Sequence, residues 1–497
     1  MEKNYTLGEY LDRLREEMLL LDYQIGPADL KREVCWLSYD SKDIRENTLF
    51  VCKGAHFSEK YLWEAAEAGA FCYVSEQRYE TAASAVIVKD IRLAMAILAN
   101  MFYHEPWKNL NLVGITGTKG KSTTAYMVRA VLDHYLQRMG RPLSAVISSI
   151  DTYDGVLNFE SHLTTPEAMM LQRHFANAVE SGIGYAVMEV SSQALKYHRV
   201  KDVLFDVGCF LNIGEDHISA VEHPDFDDYF ESKLMLFSQC ATACVNLDSN
   251  HLEEILLSAE SCGRIITFGK REEAEIYGHH IVKKDGCTCF TVRTPEFEQE
   301  FRLTIPGLFN VDNALGAIAI CSALGIPAED MREGLLNARV SGRMEVFENT
   351  RRKVTVIVDY AHNRMSFDTL FDSTMREYPQ CGIYAVFGCP GGKAFDRRQE
   401  LGEIAGRYAK KVFLTEEDAG EEPVGEISRQ IAGYVKAQGC PCELIDDREE
   451  AIRAAIAQAP ENTVILLTGK GRETRQKRGT AYVDCPSDVD LVEKYLL

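Results

Sequence analysis

The clearest candidate for a functional motif is a glycine-rich run, GITGTKGKSTT, at residues 114–124. Glycines in such a turn let backbone N–H groups converge on phosphate oxygens, and a following helix adds a favourable dipole. Lys121 can neutralise charge on the β- and γ-phosphates, and Ser122 can ligate magnesium. The run therefore predicts a site for a nucleoside triphosphate, ATP with Mg²⁺. The predicted nucleotide-binding residues are Gly117, Thr118, Lys119, Gly120, Lys121, Ser122 and Thr123.

The spacing of this run departs from the usual Walker A motif. Ile115 stands five positions before Gly120, and the nearest upstream glycines are Gly114 and Gly117. A chance Gly-Lys-Ser at a surface turn is the alternative interpretation. An apolar stretch before the run and the helix-like residues 125–132 after it favour the phosphate site.

Two more polar groups directly follow apolar stretches. Glu189 ends one such stretch, and Asp216 and His217 follow another. The carboxyl ends of parallel strands meet at one edge of a sheet, so these groups would lie on the phosphate-loop side. A carboxylate and an imidazole there can hold magnesium between phosphate and substrate oxygens. Each alone would more often be structural, but beside the loop we predict Ser122, Glu189 and His217 as metal ligands.

Short apolar stretches that alternate with helix-length amphipathic stretches must position these groups. That rhythm is typical of a mostly parallel sheet covered by helices on both faces. The predicted strands are 112–115, 185–188, 203–211 and 241–245 in the middle, and 354–358, 383–387, 412–414 and 464–467 later. We predict an α/β protein with a central P-loop domain and a Rossmann-like C-terminal domain.

The chain length sets the number of domains. At about 150 residues per domain, 497 residues suggest roughly three. The first hundred residues form a small mixed unit, and turn-rich residues 104–111 precede the parallel pattern. We place the domains at 1–105, 106–340 and 341–497.

Composition excludes several classes of function. A formal net charge of -21 would repel a nucleic-acid backbone, so nucleic acid is not an expected partner. No apolar stretch is long enough for a membrane span, and the start is charged and amphipathic, so we expect a cytoplasmic location. The 15 cysteines should be reduced thiols. Zinc at the two Cys-x-Cys pairs is a weaker alternative, because neither pair has the usual spacing.

Together these segments resemble the Mur ligase family of bacterial cell-wall synthesis, whose phosphate-loop variant is shared with folylpolyglutamate synthases. The resemblance is strongest to the branch that adds the third peptide residue to UDP-N-acetylmuramoyl-L-alanyl-D-glutamate. It implies that Glu189 and His217 are magnesium ligands and that Lys233 is a carbamylated lysine, itself a metal ligand. Without the resemblance, Lys233 would be interpreted as part of a solvated helix face.

Further matches to this family span nearly the whole chain. The resemblance assigns Ser41 to the uridine side, although Lys42 stands where the family more often has Arg. It implies that Thr164, Thr165, Ser191 and Arg199 bind the muramoyl dipeptide and that Asn310 and Asn313 lie on the adenine side of the nucleotide. In the C-terminal part, it implies that Arg343 and Asp359 contact the nucleotide and that His362, in the same motif as Asp359, binds the substrate. Gly469 and Glu473 would receive the incoming amino acid.

The motif and the resemblance together imply a mechanism. The γ-phosphoryl group of ATP would pass to the D-glutamate side-chain carboxylate, and amine attack on the acyl phosphate would form the amide. Lys121, Lys233, Glu189 and His217 are the predicted catalytic residues. Magnesium and Lys121 would offset charge repulsion during transfer, and domain closure around Arg343 would exclude water.

The identity of the added amino acid is the open question. Diaminopimelate-adding relatives typically carry Asp-Asn-Pro-Arg and lysine-adding ones often Asp-Asp-Pro-Asn, but here the stretch is Glu417-Asp418-Ala419-Gly420. The stretch and its neighbours Glu416, Glu421 and Glu422 are acidic, which suits a cationic side chain such as lysine or ornithine. Alternatively the acids form a solvated loop. Carboxylate binding by Arg397, Arg398 and Arg472, and a Glu473 typical of diaminopimelate-type loops, would instead suit meso-diaminopimelate. We favour L-lysine, with Glu417 and Asp418 as substrate-binding residues.

Two other functions stay open. A folylpolyglutamate-synthase-like ligase would share the phosphate loop and the metal ligands, but Ser41 and the Thr164-Thr165 segment favour a UDP-linked substrate. A nucleotide-binding scaffold without ligase activity is the non-enzyme alternative, since the 417–420 stretch is atypical. For the ligase we expect a monomer with a UDP-linked muramoyl dipeptide and a free amino acid as partners.

Overall fold

The computed structural model describes residues 4–54, 57–81, 83–161, 163–215, 218, 222–284 and 286–496. Sheets of five, eleven and six strands follow one another along the chain, with a separate two-stranded hairpin near the end. The fold-class prediction of a mixed α/β protein in three domains, with large and mostly parallel sheets, is confirmed. None of the described helices is long and apolar enough to cross a membrane.

The first sheet has the order β1-β5-β4-β3-β2 and is parallel except for the β1–β5 pair. Its strands are β1 (Leu20–Gln24), β2 (Trp36–Ser38), β3 (Thr48–Val51), β4 (Ala70–Ser75) and β5 (Ser84–Val88). Its helices are α1 (Leu7–Glu16), α2 (Pro27–Leu30), α3 (Glu59–Glu67) and α4 (Ile91–Phe102). Strands β3 and β4 are buried along their whole length, as expected for inner parallel strands.

The second sheet has the order β16-β15-β14-β13-β12-β11-β6-β10-β7-β8-β9. Its strands are β6 (Asn111–Thr116), β7 (Ala145–Ile147), β8 (Asp151–Tyr153), β9 (Asn158–Glu160), β10 (Tyr185–Glu189), β11 (Phe205–Phe210), β12 (Cys240–Asn246), β13 (Arg264–Gly269), β14 (Ile276–Lys284), β15 (Cys287–Arg293) and β16 (Glu298–Leu303). Its helices are α5 (Lys121–Arg138), α6 (Ala168–Glu180), α7 (Ser192–Lys196), α8 (Phe226–Leu234), α9 (Leu252–Ala259), α10 (Asn310–Ala323) and α11 (Ala328–Asn337).

The middle of this second sheet is parallel and places β6 between β10 and β11. Both margins turn antiparallel, at β7–β8–β9 on one side and β14–β15–β16 on the other. Gly114 in β6 is needed for close packing, because an added Cβ would lie 2.8 Å from the Phe205 ring. The strand predictions for the parallel middle are confirmed, whereas the antiparallel margins were not predicted.

The third sheet has the order β17-β18-β22-β19-β20-β21 and is parallel except at β17. Its strands are β17 (Glu345–Asn349), β18 (Val354–Asp359), β19 (Gly382–Phe387), β20 (Lys411–Leu414), β21 (Cys442–Leu444) and β22 (Thr463–Thr468), and the hairpin is β23 (Arg475–Arg478) with β24 (Ala481–Asp484). Its helices are α12 (Arg364–Glu377), α13 (Asp396–Tyr408), α14 (Val424–Ala437), α15 (Arg448–Gln458) and α16 (Asp488–Tyr495).

The second and third sheets pack as neighbours. One hydrophobic cluster runs from Val113 in β6 to Leu466 in β22. At the boundary, Glu377 of α12 accepts a hydrogen bond from the Leu308 N–H at 3.1 Å and forms an ion pair with Lys283 at 2.8 Å. The loop after β6 also lies near the end of β18, because the charge of Lys119 acts on the Asp359 carboxyl group. Parallel α/β sheets place their ligands at such strand ends.

Candidate active site

The phosphate loop joins β6 to α5 and has the backbone geometry that its glycines predict. Gly117 and Gly120 have φ angles of 149° and 83°, which are unfavourable for any residue that carries a Cβ atom. A Cβ on Gly120 would lie 2.1 Å from Asn313 Oδ1, so only glycine fits there. The Lys121 ammonium donates to the Gly117 carbonyl at 2.9 Å. Thr123, in the first turn of α5, is buried.

Asn212 fixes the next part of the loop, and sequence reasoning did not identify it. Its carbonyl accepts from the Thr118 N–H at 3.0 Å, and its side-chain oxygen accepts from the Lys119 N–H at 2.8 Å. The Thr118 hydroxyl lies 3.1 Å from the Tyr229 hydroxyl. Asn212 stands two residues after β11, and that strand-end position, shared with Glu189, was the available signal.

Glu189 ends β10 and is only 1% exposed. Its Oε1 accepts hydrogen bonds from the Ser149 N–H at 2.8 Å and the Ser149 hydroxyl at 3.1 Å. The same Ser149 hydroxyl lies 3.1 Å from the Ser122 hydroxyl at the start of α5. Ser149 therefore joins two residues that the sequence predicted as metal ligands, although Ser149 itself was not predicted.

Lys233 lies within α8 and is only 1% exposed, so the alternative of a solvated helix face is wrong. Its ammonium donates to the Gly117 carbonyl at 3.0 Å and lies 4.6 Å from the centre of the Tyr229 ring. Lys121 and Lys233 therefore converge on one carbonyl of the phosphate loop. Two ammonium groups at one place create a strong preference for an anion.

The metal set is described only in part. Asp216 and His217 lie outside the described residues. Within the described part of the chain, no three His, Cys, Asp or Glu side chains cluster so as to hold a metal ion. The Glu189 carboxylate and the Ser122 hydroxyl are oxygen donors of the kind that Mg²⁺ prefers, and they lie at the phosphate loop, so the residues present fit that ion.

The predicted dipeptide-side residues lie next to Glu189. The Thr165 hydroxyl donates to the Glu189 carbonyl at 2.9 Å and accepts from the Ser191 N–H at 3.1 Å. Arg199 donates to the Thr165 carbonyl at 3.1 Å, and Thr164 immediately precedes this group. By contrast, Ser41 lies in the first-sheet unit, where its hydroxyl donates to Glu64 at 3.0 Å.

A three-membered ion pair connects these two units. Glu167 contacts Arg199 at 2.8 Å and Lys53 of the first-sheet unit at 2.5 Å. Lys53 was not predicted, because an isolated lysine after β3 carries no motif. The arrangement places two cations at the cleft between the first-sheet unit and the second.

The adenine-side residues stand against the phosphate loop. The Asn313 side chain donates to Asn310 Oδ1 at 2.8 Å, and Asn310 donates to the Pro306 carbonyl at 2.6 Å. Beside them lies a cavity of about 730 Å³ between the second and third sheets, lined by Phe309 and Asp312 and by the face of α12 that carries Asp368.

Asp359 ends β18 and faces this cleft from the third sheet. Its carboxylate accepts from the N–H groups of Met344 at 2.9 Å and Ala361 at 2.8 Å. Burial raises the pKa of Asp359, while the charges of Arg343 and of Lys119 in the phosphate loop oppose that rise. Lys119 is therefore electrostatically coupled to the C-terminal unit.

Arg343 and His362 are held near the same strand end. The Arg343 guanidinium stacks 4.4 Å from the centre of the Tyr360 ring. The His362 Nδ1 lies 2.8 Å from the Tyr360 carbonyl. The predicted C-terminal residues thus surround Tyr360.

Glu417 is the most unusual carboxylate of the third-sheet unit. It is 8% exposed, and its carboxylate accepts no hydrogen bond from the residues that the structure describes. Burial raises the pKa of Glu417 to about 8, against the lowering effect of Arg448, Arg397 and Lys470. Gly469 has a φ of 96°, and a Cβ there would lie 2.2 Å from Glu417 Oε2, so the loop needs glycine at this contact.

Asp418 and Glu473 share one internal cation. The Lys470 ammonium contacts Asp418 at 3.2 Å and Glu473 at 2.5 Å. Burial disfavours the charge on Lys470, but the two carboxylates outweigh it and raise the pKa of Lys470. The Tyr360 hydroxyl donates to Glu473 at 2.6 Å. The structure therefore brings Glu417, Asp418, Gly469 and Glu473 together.

Several nearby charges are already paired. Arg398 makes a two-pronged contact with Glu422 at 2.8 and 2.7 Å, and Arg472 makes one with Glu345 at 2.6 and 2.7 Å. Glu416 pairs in the same way with Arg478 at 3.0 and 2.6 Å. The acids around 416–422 are thus neither all solvated nor all available to a ligand.

Known proteins resemble this chain in sequence and in fold. The sequence matches the Mur ligase middle domain over residues 115–321 and the glutamate ligase domain of Mur ligases over 342–471. It is 37% identical to the UDP-N-acetylmuramoyl-L-alanyl-D-glutamate--L-lysine ligase of Enterococcus faecalis, over 100% of this chain and 97% of that one. It is also 37% identical to a UDP-N-acetylmuramyl-tripeptide synthetase of Lactobacillus delbrueckii, over 92% of each.

Two solved structures share the fold at lower identity. A UDP-N-acetylmuramoyl-L-alanyl-D-glutamate--2,6-diaminopimelate ligase superposes with a TM-score of 0.67 at 21% identity, over 99% of this chain and 98% of that one. The MurF ligase of Thermotoga maritima in complex with ADP superposes with a TM-score of 0.62 at 18% identity, over 93% and 96%.

Proposed function

This chain belongs to the Mur ligase family, and from that premise we propose that it joins L-lysine to UDP-N-acetylmuramoyl-L-alanyl-D-glutamate, with cleavage of ATP to ADP and phosphate. The observation that carries the proposal is the convergence of Lys121 and Lys233 on the Gly117 carbonyl beside Glu189. That arrangement provides what a phosphoryl transfer between two anions needs, which is fixed positive charge in a water-poor site.

The phosphate loop and the neighbouring cleft would hold ATP. The glycine-bearing turn and the N-terminus of α5 bind the phosphates, and Lys121 compensates their charge. The cavity beside Asn310 and Asn313 is lined in part by Phe309, and its volume of about 730 Å³ suits a nucleoside. Glu189, Ser122 and His217 would hold Mg²⁺, which supplies further positive charge when bound.

The reaction proceeds in two steps. An oxygen of the D-glutamate side-chain carboxylate attacks the γ-phosphorus, the bond to the β-phosphate oxygen breaks, and ADP leaves. The free amine then attacks the activated carbonyl, phosphate departs with the bonding electron pair, and the amine loses a proton. Lys121 would stabilise the charge of the transferring group directly. Lys233 would do the same as an ammonium, or would help to hold Mg²⁺ if it is carbamylated.

The acceptor loop supports lysine rather than diaminopimelate. Glu417 is a buried carboxyl group that accepts no hydrogen bond from the described residues, and a bound cation would favour its ionised form. A second carboxylate on the amino acid would need an available guanidinium. Arg398 and Arg472 are already engaged by internal carboxylates, and the charge of Arg397 already acts on Glu417, whose pKa it lowers. The paired arginines therefore favour a cationic side chain over an anionic one.

The remaining assignments divide the substrate among the three units. We assign residues 1–105 to the uridine nucleotide, with Ser41 on that side, residues 106–340 to ATP and the muramoyl dipeptide, and residues 341–497 to the amino acid. Lys53 and Arg199 share the single carboxylate of Glu167, so this group keeps a net positive charge that suits the anionic middle of such a substrate. We also propose that the protein is a monomer, and that it acts in the cytoplasm, where a water-soluble, nucleotide-linked substrate would be available.

One assay tests this function. Purified protein is given ATP, Mg²⁺ and the UDP-linked dipeptide, and ADP release is followed with lysine, ornithine and meso-diaminopimelate in parallel. We expect release that depends on lysine and on the dipeptide together. A preference for diaminopimelate would overturn the choice of amino acid. If the protein bound ATP tightly but released no ADP with any of the three amino acids, the scaffold alternative would be supported.

A thermal-shift measurement separates the ligase from a folylpolyglutamate-type enzyme. Uridine nucleotides should raise the melting temperature if the first-sheet unit binds the UDP moiety. Protection by a folate instead, with none from uridine nucleotides, would refute the proposed substrate.

A further inference from the structure

His223 is a wholly buried histidine that the proposed mechanism does not use. It is 0% exposed, and it stands three residues before the first residue of α8. Its Nδ1 lies 2.5 Å from Asp228 Oδ2, and its Nε2 lies 2.9 Å from the Ser192 hydroxyl. Both ring nitrogens are therefore engaged, and by residues from two different elements.

The two elements carry the two sides of the proposed reaction centre. Ser192 is the first residue of α7, three positions after Glu189 at the end of β10. Asp228 lies in α8, which also carries Tyr229 and Lys233. His223 thus connects the element that follows Glu189 to the element that carries Lys233.

The contacts continue from the histidine to the phosphate loop. The rings of His223 and Tyr229 meet edge to face with centroids 5.2 Å apart. The Tyr229 hydroxyl reaches Thr118, and the Tyr229 ring lies beneath the Lys233 ammonium. Lys196 of α7 adds a parallel connection, because its ammonium contacts Asp228 at 2.6 Å.

We propose that His223 is a positioning residue for the ligation, which fixes α8, and with it Lys233, relative to the Glu189 side of the phosphate loop. We assign the tautomer in which Nδ1–H donates to Asp228 and Nε2 accepts from the Ser192 hydroxyl, by analogy with histidines oriented by a carboxylate. The inference rests on the proposed function only for its kinetic consequence. Its structural content, the rigid connection of α7 to α8, stands independently.

The magnitude of the effect follows from how sharply phosphoryl transfer depends on geometry. A displacement of about 1 Å far from the chemistry can cost on the order of 100-fold in rate. Because Lys233 belongs to α8, a shift of that helix also shifts the backbone from which its ammonium extends. Loss of the His223 connection should therefore lower kcat more than it weakens the binding of ATP.

The chain offers a matched control in His174. This second buried histidine, in α6, contacts Asp154 at 2.7 Å and is 2% exposed. Its partner Asp154, which also accepts a hydrogen bond from the Asn177 side chain at 2.8 Å, belongs to a different part of the second-sheet unit from α8. His174→Asn therefore removes the same kind of buried histidine without touching the connection to Lys233.

The experiment compares His223→Asn with His174→Asn, each assayed well below its own melting temperature. Asparagine can reproduce the contact of Nδ1 with Asp228 but cannot reach Ser192. We expect both variants to melt lower than the unsubstituted protein. His223→Asn should also lose about 10- to 100-fold in kcat with little change in KM for ATP. Equal kcat in the two variants would overturn the proposal.

Ser192→Ala provides a second route if His223→Asn does not fold. It removes only the hydroxyl end of the connection and should lower kcat in the same direction. The double variant should lose no more than the worse single variant, because the two residues form one connection. Additive losses, or a normal kcat in Ser192→Ala, would contradict the proposal.

Hydrogen exchange separates this inference from the proposed function. His223→Asn should accelerate backbone exchange in α7 and α8, and His174→Asn should not. If the unsubstituted protein released no ADP with any amino acid, the function would fail while this measurement still decided the structural connection. Unchanged exchange in α8 would overturn the connection even in an active ligase.

Discussion

The phosphate-loop centre and the acceptor loop differ in how far their charged side chains find hydrogen-bond partners within the protein. Lys121 and Lys233 both donate to the Gly117 carbonyl, and Glu189 accepts two hydrogen bonds from Ser149. In the acceptor loop, Glu417 is as buried as many core residues, yet it accepts no hydrogen bond within the described structure. One region is organised before any ligand binds, and the other contains a carboxyl group whose ionised form a cationic ligand would stabilise.

This difference matches the chemistry that each region has to perform. Phosphoryl transfer gains from groups that are already in place, since reorganisation during the reaction adds to the barrier. Selection of one amino acid gains from a polar group that is unfavourable to leave unpaired. A wrong ligand leaves that group unpaired and therefore binds with a less favourable free energy. We expect catalysis to depend on the first region and the choice of amino acid on the second.

The sharpest test of the preorganised region is Lys121→Ala. The variant removes the ammonium that compensates the phosphates, so ADP release that depends on both substrates should fall by about 1000-fold or more. Lys60→Ala, at a largely exposed lysine of α3, is the control and should be normal. Near-normal turnover in Lys121→Ala, with the melting temperature unchanged, would remove the phosphate loop from the mechanism.

The phosphate loop was also the region most accessible to sequence reasoning. Its residues are contiguous, and the parallel strands 112–115, 185–188 and 203–211 form as predicted around it. Local spacing and strand rhythm suffice there, because the chemistry requires glycine, lysine and serine in a fixed order. Ser149 and Asn212 were missed because each acts through a side chain that long-range folding brings to the loop.

The acceptor loop was less predictable for a physical reason. Its acidic residues suggested a cation site, but the sequence could not show which acids find internal partners. Folding pairs Glu416 with Arg478 and Glu422 with Arg398, whereas the Glu417 carboxylate accepts no hydrogen bond from any residue that the structure describes. The antiparallel strands β14–β16 and the hairpin β23–β24 were likewise not predicted, because short alternating stretches carry weak periodicity.

Glu417→Gln tests the incomplete region directly. The amide keeps the shape of the side chain but cannot compensate a cationic substrate. We expect KM for lysine to rise by roughly 10- to 100-fold while KM for ATP stays the same. Glu421→Gln, at an exposed neighbour, is the matched control and should have little effect. An unchanged KM for lysine in Glu417→Gln would make Glu417 a structural residue.

The dependence of lysine binding on pH should separate the two regions further. Since burial raises the pKa of Glu417 to about 8, the free protein holds this group neutral near pH 7. The side-chain ammonium of lysine, with an ordinary pKa of about 10.4, stays charged. The measured affinity for lysine should therefore increase between pH 6.5 and 8.5, by up to about tenfold per pH unit. Calorimetry would show this, and an identical pH slope in Glu417→Gln would contradict it.

The smallest expected effect is that of Glu417→Gln on the stability of the protein without ligand. The difference in melting temperature between the variant and the unsubstituted protein should reverse when lysine is present. The pKa of Glu417 is raised from 4.5 to about 8 on folding, so the folded protein binds more protons than the unfolded chain between those values. Its contribution to stability therefore falls as pH rises through that range, and a permanently neutral glutamine avoids the loss. Glu417→Gln should melt like the unsubstituted protein near pH 5 and higher at pH 8.5, by roughly 2–4 °C for each kcal/mol gained. Saturating lysine should stabilise only the unsubstituted protein and so remove or reverse the difference. A variant that melted lower at both pH values, with or without lysine, would show that Glu417 is satisfied by the protein itself, and the contrast between the two regions would disappear.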